Sequence, residues 1–231
     1  MLNFSQFEVL TFDCYGTLID WEQGIINSLK PVFQKHSIDL PDNEILEYFA
    51  VFESEVESGE FLAYRDILQT VLECFGDVLN FVPTDRELQD FPNSIQNWPP
   101  FPDTVAALQN LAQKYKFAII SNVDDNLFAH SAKHLQVKFD WVITAQQVGA
   151  YKPSLENFRF AFRKIGVEPA KILHVAQSLY HDHAPAQKLG MTTVWVNRRK
   201  GLPGKGATPP ADAKPDLEVA DLKSLVDLMI K

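Results

Sequence analysis

Five short apolar runs constrain what this chain can fold into: Phe7–Phe12, Phe117–Ile120, Trp141–Thr144, Ile172–Ala176 and Thr192–Val196. Each is rich in β-branched or aromatic residues and reads almost continuously apolar, as strands buried on both faces do. Helical patterns separate them, at Asp103–Gln113, Asp124–Leu135, Ser154–Ile165 and Asp182–Leu189, with a last helix over Asp221–Ile230. Strands that alternate with helices are joined by crossovers, and a crossover makes neighbouring strands parallel. The expected fold class is therefore α/β, a doubly wound parallel sheet with helices on both faces.

One long interruption falls after the first run. Between 20 and 97 no convincing strand is found. Trp21, Ile25, Ile26, Leu29, Val32 and Phe33 recur at helical spacing, with Pro31 as an expected kink. A second helix can start after Asp42 and bury Ile45, Leu46 and Phe49, and a third runs through Phe61–Phe75. Thr84 and Glu87 read as a capping box that opens a fourth. This segment carries 16 acidic and 4 basic side chains, more than the whole excess behind the net charge of −9. The expected organisation is a core over 1–19 and 98–231 with an all-helical insert over 20–97. The Gly201–Pro215 stretch reads as a surface loop.

An acidic chain of this kind lacks the basic face that binding to nucleic-acid phosphates requires. No apolar run approaches the ~20 residues of a bilayer span, and no basic-then-apolar leader opens the sequence. The expectation is a soluble protein of the cytoplasm, without membrane or nucleic-acid partners. Two cysteines, Cys14 and Cys74, cannot build a disulfide framework.

Open α/β sheets bind ligands beyond the carboxyl ends of their strands. Asp13-Cys14-Tyr15-Gly16-Thr17 follows the first run, and Ser121-Asn122 the second. Tyr151-Lys152-Pro153 lies beyond the third, and Gln177 to Asp182 beyond the fourth. Taken singly, each is an ordinary turn or cap residue. Together they gather carboxylates, hydroxyls, an amide and an ammonium on one sheet edge, which is a set of groups that do chemistry. His181-Asp182-His183 lacks a fourth ligand for zinc, and Asn197-Arg198-Arg199-Lys200 reads as a solvated basic turn.

These residues carry a resemblance. FDCYGTL at 12–18, the pair Ser121-Asn122, YKP at 151–153 and HVAQSLYHD at 174–182 resemble, in order, the four motifs of the haloacid dehalogenase superfamily. The resemblance covers essentially the whole chain and implies a Rossmann-like core with a helical cap inserted after the first strand. Phosphatases of this superfamily usually read DxD in the first motif, where this chain has Tyr15 at the second acidic position. They often read GDSxxxD near the fourth strand, where this chain has Gln177. A DxYGTL motif is instead similar to type II 2-haloacid dehalogenases, which use neither metal nor general acid.

The resemblance thus implies a hydrolase with Asp13 as nucleophile, acting on small anionic substrates of the (S)-2-halocarboxylic acid type through an aspartyl ester. It assigns catalytic roles to Asp13, Thr17, Lys152 and Asp182, and substrate contacts to Tyr15, Ser121 and Asn122. Those dehalogenases receive the halide on an early cap arginine. Arg65 is the first arginine after Asp13 and is taken as its substitute. No metal or other cofactor is expected, and the resemblance leaves room for a homodimer. Two alternatives stand beside this one: a Mg²⁺-dependent phosphatase of a small metabolite, and a non-catalytic relative. Removing Lys152 is expected to weaken binding and turnover while leaving stability little changed or even raised.

Overall fold

The structure, a computed structural model, describes residues 2–230. Six strands form one parallel sheet: β1 Val9–Phe12, β2 Lys116–Ser121, β3 Trp141–Thr144, β4 Ile172–Ala176, β5 Thr192–Val196 and β6 Leu217–Val219, in the order β3-β2-β1-β4-β5-β6. From β1 the chain winds outward to β2 and β3, then returns to place β4 on the other side of β1. That reversal opens a crevice at the carboxyl ends of the central strands.

Between β1 and β2 lie four helices, α1 Trp21–Lys35, α2 Asp42–Glu57, α3 Tyr64–Leu79 and α4 Asp85–Asn93, followed by α5 Thr104–Leu111. The remaining helices are α6 Asp125–Leu135, the short α7 Ala145–Val148, α8 Leu155–Ile165, α9 Ala184–Lys188 and α10 Leu222–Met229.

Alternate strand residues feed opposite faces, as a pleated strand requires. Leu10, Phe12, Phe117, Ile119, Val175 and Val194 join one apolar cluster with α5, α6 and α10. Val9, Ala118, Ile120 and Ile172 join a second with Phe158, Ala161 and Ile165 of α8. The first cluster continues without a break into the helical cap. There Phe75 meets Phe33 at 5.2 Å and Phe52 at 5.1 Å, a close-packed aromatic centre. The Thr84–Glu87 capping box forms as the sequence reading expects.

Three details depart from that reading. β6 was not expected; it is a three-residue edge strand, and its exposed central Glu218 breaks any apolar run. The third cap helix starts at Tyr64 and not at Phe61, because Phe61 leaves the cap to stack on Tyr151 at 5.2 Å. The helix placed at Asp182–Leu189 is a π-helical turn over Leu179–His183 that leads into α9.

Cap and core join through two strands of backbone. Asp20 N–H donates to the Pro99 carbonyl at 2.8 Å, and Ile19 bridges Pro100. Trp98, 2% exposed, packs its ring against Gly24 of α1 so closely that an added Cβ would lie 2.4–2.6 Å from ring atoms. Alanine is the better helix former by about 1 kcal/mol, yet here its methyl would overpack the hinge. Gly24→Ala is therefore expected to destabilise by about 1–3 kcal/mol, read as a lowered midpoint in urea unfolding. A raised midpoint would mean that Trp98 does not pack against this face of α1.

Candidate active site

The site starts from the turn after β1. Asp13 donates its N–H to the Val175 carbonyl of β4 at 3.2 Å, which pins it between the central strands. The Cys14 carbonyl then accepts the N–H groups of Thr17, Leu18 and Ile19, closing a tight turn. Gly16 occupies it with φ +87°, and a Cβ there would meet the Trp21 indole nitrogen at 2.9 Å. The turn brings the Thr17 hydroxyl back to donate to Asp13 Oδ2 at 2.7 Å. The Thr17 hydroxyl oxygen in turn accepts the Gln177 N–H at 2.9 Å, so Thr17 ties the β1 loop to the β4 loop.

Lys152 approaches from beyond β3 and α7. Its backbone is clasped by one side chain: Asn122 Oδ1 accepts the Lys152 N–H at 2.7 Å, and Asn122 Nδ2 donates to the Lys152 carbonyl at 3.0 Å. The ammonium is 1% exposed. It donates to Asp13 Oδ1 at 2.8 Å, Asp182 Oδ1 at 2.8 Å and the Ile120 carbonyl at 2.9 Å, so all three of its protons have acceptors. Asp182 Oδ1 also accepts from His174 Nε2 at 3.0 Å, and His174 Nδ1 accepts the Thr11 hydroxyl at 2.9 Å.

The two carboxylates titrate apart. Burial and the neighbouring Asp182 charge raise the pKa of Asp13, against the pull of Lys152. For Asp182 burial acts in the same direction, but Lys152 and the His174 hydrogen bond outweigh it and hold the group well below the usual carboxylate range. Burial disfavours the charge on Lys152, yet the two carboxylates raise its pKa and keep it an ammonium. The result is a fixed cation between one carboxyl held well below the ordinary range and another raised above it.

The cavity above Asp13 measures about 30 Å³, room for a water or two and not for a carboxylic acid. Substrate entry therefore needs the cap to move. Asp13, Ser121, Asn122, Lys152 and Asp182 line its floor. Ser121 Oγ, His181 Nε2 and Asp182 Oδ2 lie on this wall without any hydrogen-bond partner among the described residues. Burial holds the His181 imidazole down at about 4, so it is neutral near pH 7.

Tyr15 also lines the cavity, but its hydroxyl is engaged by Ser131 Oγ at 2.9 Å and its ring stands edge-on to Trp98. It offers a ring and no free hydroxyl. Arg65 does not reach the cavity, which corrects its assignment as a substrate contact. Asp124 accepts the Tyr64 and Arg65 backbone N–H groups at 2.9 and 3.0 Å, and the Arg65 side chain runs along the cap to Asn93 at 2.9 Å.

In the basic turn after β5, Lys200 is exposed as expected, but Arg198 is not solvated. Arg198 stacks on Phe101 at 4.1 Å, pairs with Asp103 at 2.7 Å and donates to the Thr17 carbonyl at 3.0 Å, buttressing the nucleophile turn.

Sequence reasoning missed the roof. Glu53 and Glu57 of α2 line the cavity with Tyr64 of α3. The Tyr64 hydroxyl donates to Glu53 Oε1 at 2.6 Å, and Asn122 Nδ2 donates to Glu57 Oε2 at 3.2 Å. Burial raises the Glu53 carboxyl to about 8, and burial together with the Glu53 charge pushes Glu57 well above its ordinary range. Their four-residue spacing on one helix face was the available signal.

The donor set fits a divalent cation poorly. The Lys152 ammonium already takes Oδ1 of both floor carboxylates, Tyr15 is turned to Ser131, and Gln177 is absent from the cavity wall. Among the described residues no group of three or more acidic, histidine or cysteine side chains is arranged to hold a metal.

A doubly wound sheet with an aspartate, a bridging lysine and a second aspartate at its carboxyl edge, under a helical cap, defines a class of hydrolase. The sequence profile of haloacid dehalogenase-like hydrolases matches residues 10–196, and the chain belongs to that family. Among curated relatives, (S)-2-haloacid dehalogenase 4A of Burkholderia cepacia is 31% identical over 204 residues, 83% of this chain and 84% of that protein. Glyceraldehyde 3-phosphate phosphatase of Methanocaldococcus jannaschii is 30% identical over 135 residues. That match spans 56% of each protein, so the chain covers little more than half of that relative's length. The solved L-2-haloacid dehalogenase of Xanthobacter autotrophicus with chloropropionic acid covalently bound superposes with a TM-score of 0.81 at 21% identity. The superposition covers 96% of this chain and 98% of that one, and it establishes the fold. Among the described residues, no helix is long and apolar enough to cross a membrane.

Two outcomes follow from this geometry. Removing Lys152 leaves two buried carboxylates without their counter-ion, so the expectation of unchanged or raised stability is revised. Lys152→Met should lower unfolding stability by about 3–5 kcal/mol, measured by urea denaturation near neutral pH. Near-wild-type stability would mean that the ammonium is not the buried bridge.

Glu53 supplies a pH signature. The folded protein keeps a proton on Glu53 that the unfolded chain has released, so stability falls as pH rises from about 5 to about 8. Glu53→Gln should match the wild-type melting temperature near pH 5 and exceed it by several degrees near pH 8. Equal melting curves at both pH values would remove Glu53 from the buried roof.

Proposed function

We propose that this hydrolase works through an ester on Asp13 without a metal ion and cleaves a carbon–halogen bond in a small halogenated carboxylic acid. The observation that carries this reading is the position of Lys152 Nζ, 2.8 Å from both Asp13 Oδ1 and Asp182 Oδ1. Its ammonium supplies positive charge to both carboxylates and leaves one oxygen of each already engaged.

In the first step an Asp13 oxygen attacks the halogen-bearing carbon in line, the carbon–halogen bond breaks, and halide leaves with the bonding pair. No proton is required, which suits a site with Tyr15 where an acid would stand. In the second step water attacks the Asp13 carboxyl carbon, releasing the hydroxy acid and regenerating the carboxylate. The net reaction consumes one water and yields halide and one proton. Lys152 stabilises the charge that develops on the ester oxygen, and the free Asp182 Oδ2 accepts a hydrogen bond from the attacking water. Ser121 Oγ, also without a partner, is free to bind the substrate carboxylate. The closed cap excludes bulk water from the first step.

A Mg²⁺-dependent phosphatase is the second reading, favoured by the likeness to the Methanocaldococcus jannaschii phosphatase. Tyr15 and Gln177 weigh against it, since neither offers the carboxylate that a hard cation prefers.

One comparison separates the two. Halide release from chloro- and bromo-carboxylic acids should survive exhaustive chelation with EDTA and vanish, by at least a thousandfold, in folded Asp13→Asn. Phosphate release that needs added Mg²⁺, with no halide release, would reverse the choice.

A further inference from the structure

The roof of the cavity is acidic, and nothing in the reaction just described uses it. Glu53 and Glu57 stand four residues apart on the inward face of α2, and both line the same small cavity as Asp13. Glu53 is 3% exposed. No arginine or lysine of the cap reaches them, because the Arg65 side chain is drawn off to Asn93. Lys152, the one lysine or arginine among the described residues that line the cavity, has all three protons engaged on the floor.

A purely anionic guest would therefore enter a chamber that holds four carboxyl groups and a single ammonium already in use. Burial raises both roof carboxyls, Glu53 to about 8 and Glu57 well above its ordinary range, as happens to carboxyls that lack a counter-charge. A second observation shows that the chamber is built for a guest. Ser121 Oγ, His181 Nε2 and Asp182 Oδ2 have no hydrogen-bond partner among the described residues, and their residues are 1%, 8% and 0% exposed. Unpaired buried polar atoms are costly unless a ligand or water completes them.

We propose that Glu53 and Glu57 form a subsite for a substrate ammonium group, so that the molecule cleaved at Asp13 is an amino-substituted halocarboxylic acid. The inference rests on the proposed hydrolysis at Asp13 and deepens it. The carboxylate end lies over the floor near Ser121, the reacting carbon faces Asp13, and the ammonium points up between the two glutamates. A bound ammonium displaces the roof protons, and the two carboxylates then give it short charge-assisted hydrogen bonds. A guest without a cation draws nothing from the roof pair, so the subsite favours the aminated acid over a simple haloacid.

Equilibrium binding of two unreactive guests tests the subsite without any turnover. β-Alanine and propionate differ only by the ammonium group, and titration calorimetry near neutral pH reads both. The wild-type protein is expected to bind β-alanine at least tenfold more tightly. Glu53→Gln and Glu57→Gln should each cut that preference by most of its value, while Glu55→Gln, on the exposed side of the same helix, leaves it intact. Melting curves verify that each variant is folded. Equal or tighter binding of propionate, or a preference that survives both roof variants, overturns the subsite.

A separate arm reads halide release from 3-amino-2-chloropropanoate against 2-chloropropanoate. Faster release from the aminated acid supports the subsite, and faster release from 2-chloropropanoate counts against it. Preferential β-alanine binding with no halide from either acid would leave the subsite standing and defeat the proposed reaction.

Discussion

One buried ammonium organises this molecule. Lys152 Nζ sits at the carboxyl edge of the sheet with three acceptors, two of them carboxylates from loops that follow different strands. Taking such a charge out of water is expensive, and only complete hydrogen bonding makes it tolerable. The surrounding structure supplies that completion. Asn122 clasps the Lys152 backbone from both sides, His174 passes the Thr11 contact on to Asp182, and Thr17 holds the far oxygen of Asp13. Arg198 then fixes the Thr17 carbonyl from the opposite side. The motif residues are therefore one network, and their chemistry follows from its charge: a fixed cation with one carboxyl held below the ordinary range and one raised above it.

The cap adds the second constraint. It closes the cavity to about 30 Å³ and brings its own carboxyls to the roof. Its attachment is polar as well as apolar. Asp124 of the core receives the first N–H groups of α3, where a negative charge is favoured, and the Tyr151 hydroxyl donates to the Leu62 carbonyl at 2.8 Å. Arg199 of the core pairs with Glu22 of α1 on the far side. Opening the cap breaks these clasps and also parts the apolar cluster that cap and core share. Specificity then belongs to the cap and bond-making to the core, which share one chamber.

Much of this was legible in the sequence, for definite reasons. β3, β4 and β5 have the bounds read from their apolar runs, because strands buried on both faces leave mostly apolar stretches such as Ile172–Ala176, where only His174 is polar. Asp13, Lys152 and Asp182 could be named because each follows a recognisable strand, and the sheet order gathers strand ends at one edge. β6 was not visible: a three-residue edge strand around the exposed Glu218 has no periodicity to read. Arg198 looked solvated because nothing in the local sequence announces Phe101 and Asp103 as its neighbours. Glu53 and Glu57 were hidden by the same limit. On an amphipathic helix, glutamates off the apolar stripe read as a wet surface, and Glu55 is one. Only the docking of α2 over the β1 and β4 loops turns its neighbours inward.

The account stands on Asp13 carrying the substrate covalently, with water attacking the carboxyl carbon of the enzyme and not the carbon of the substrate. A single turnover in ¹⁸O-labelled water, with enzyme in excess and the Asp13 peptide weighed by mass spectrometry, reads that point directly. The account predicts one ¹⁸O in the Asp13 carboxylate and an unlabelled hydroxy acid from the first turnover. Label in the product with none in Asp13 would contradict it.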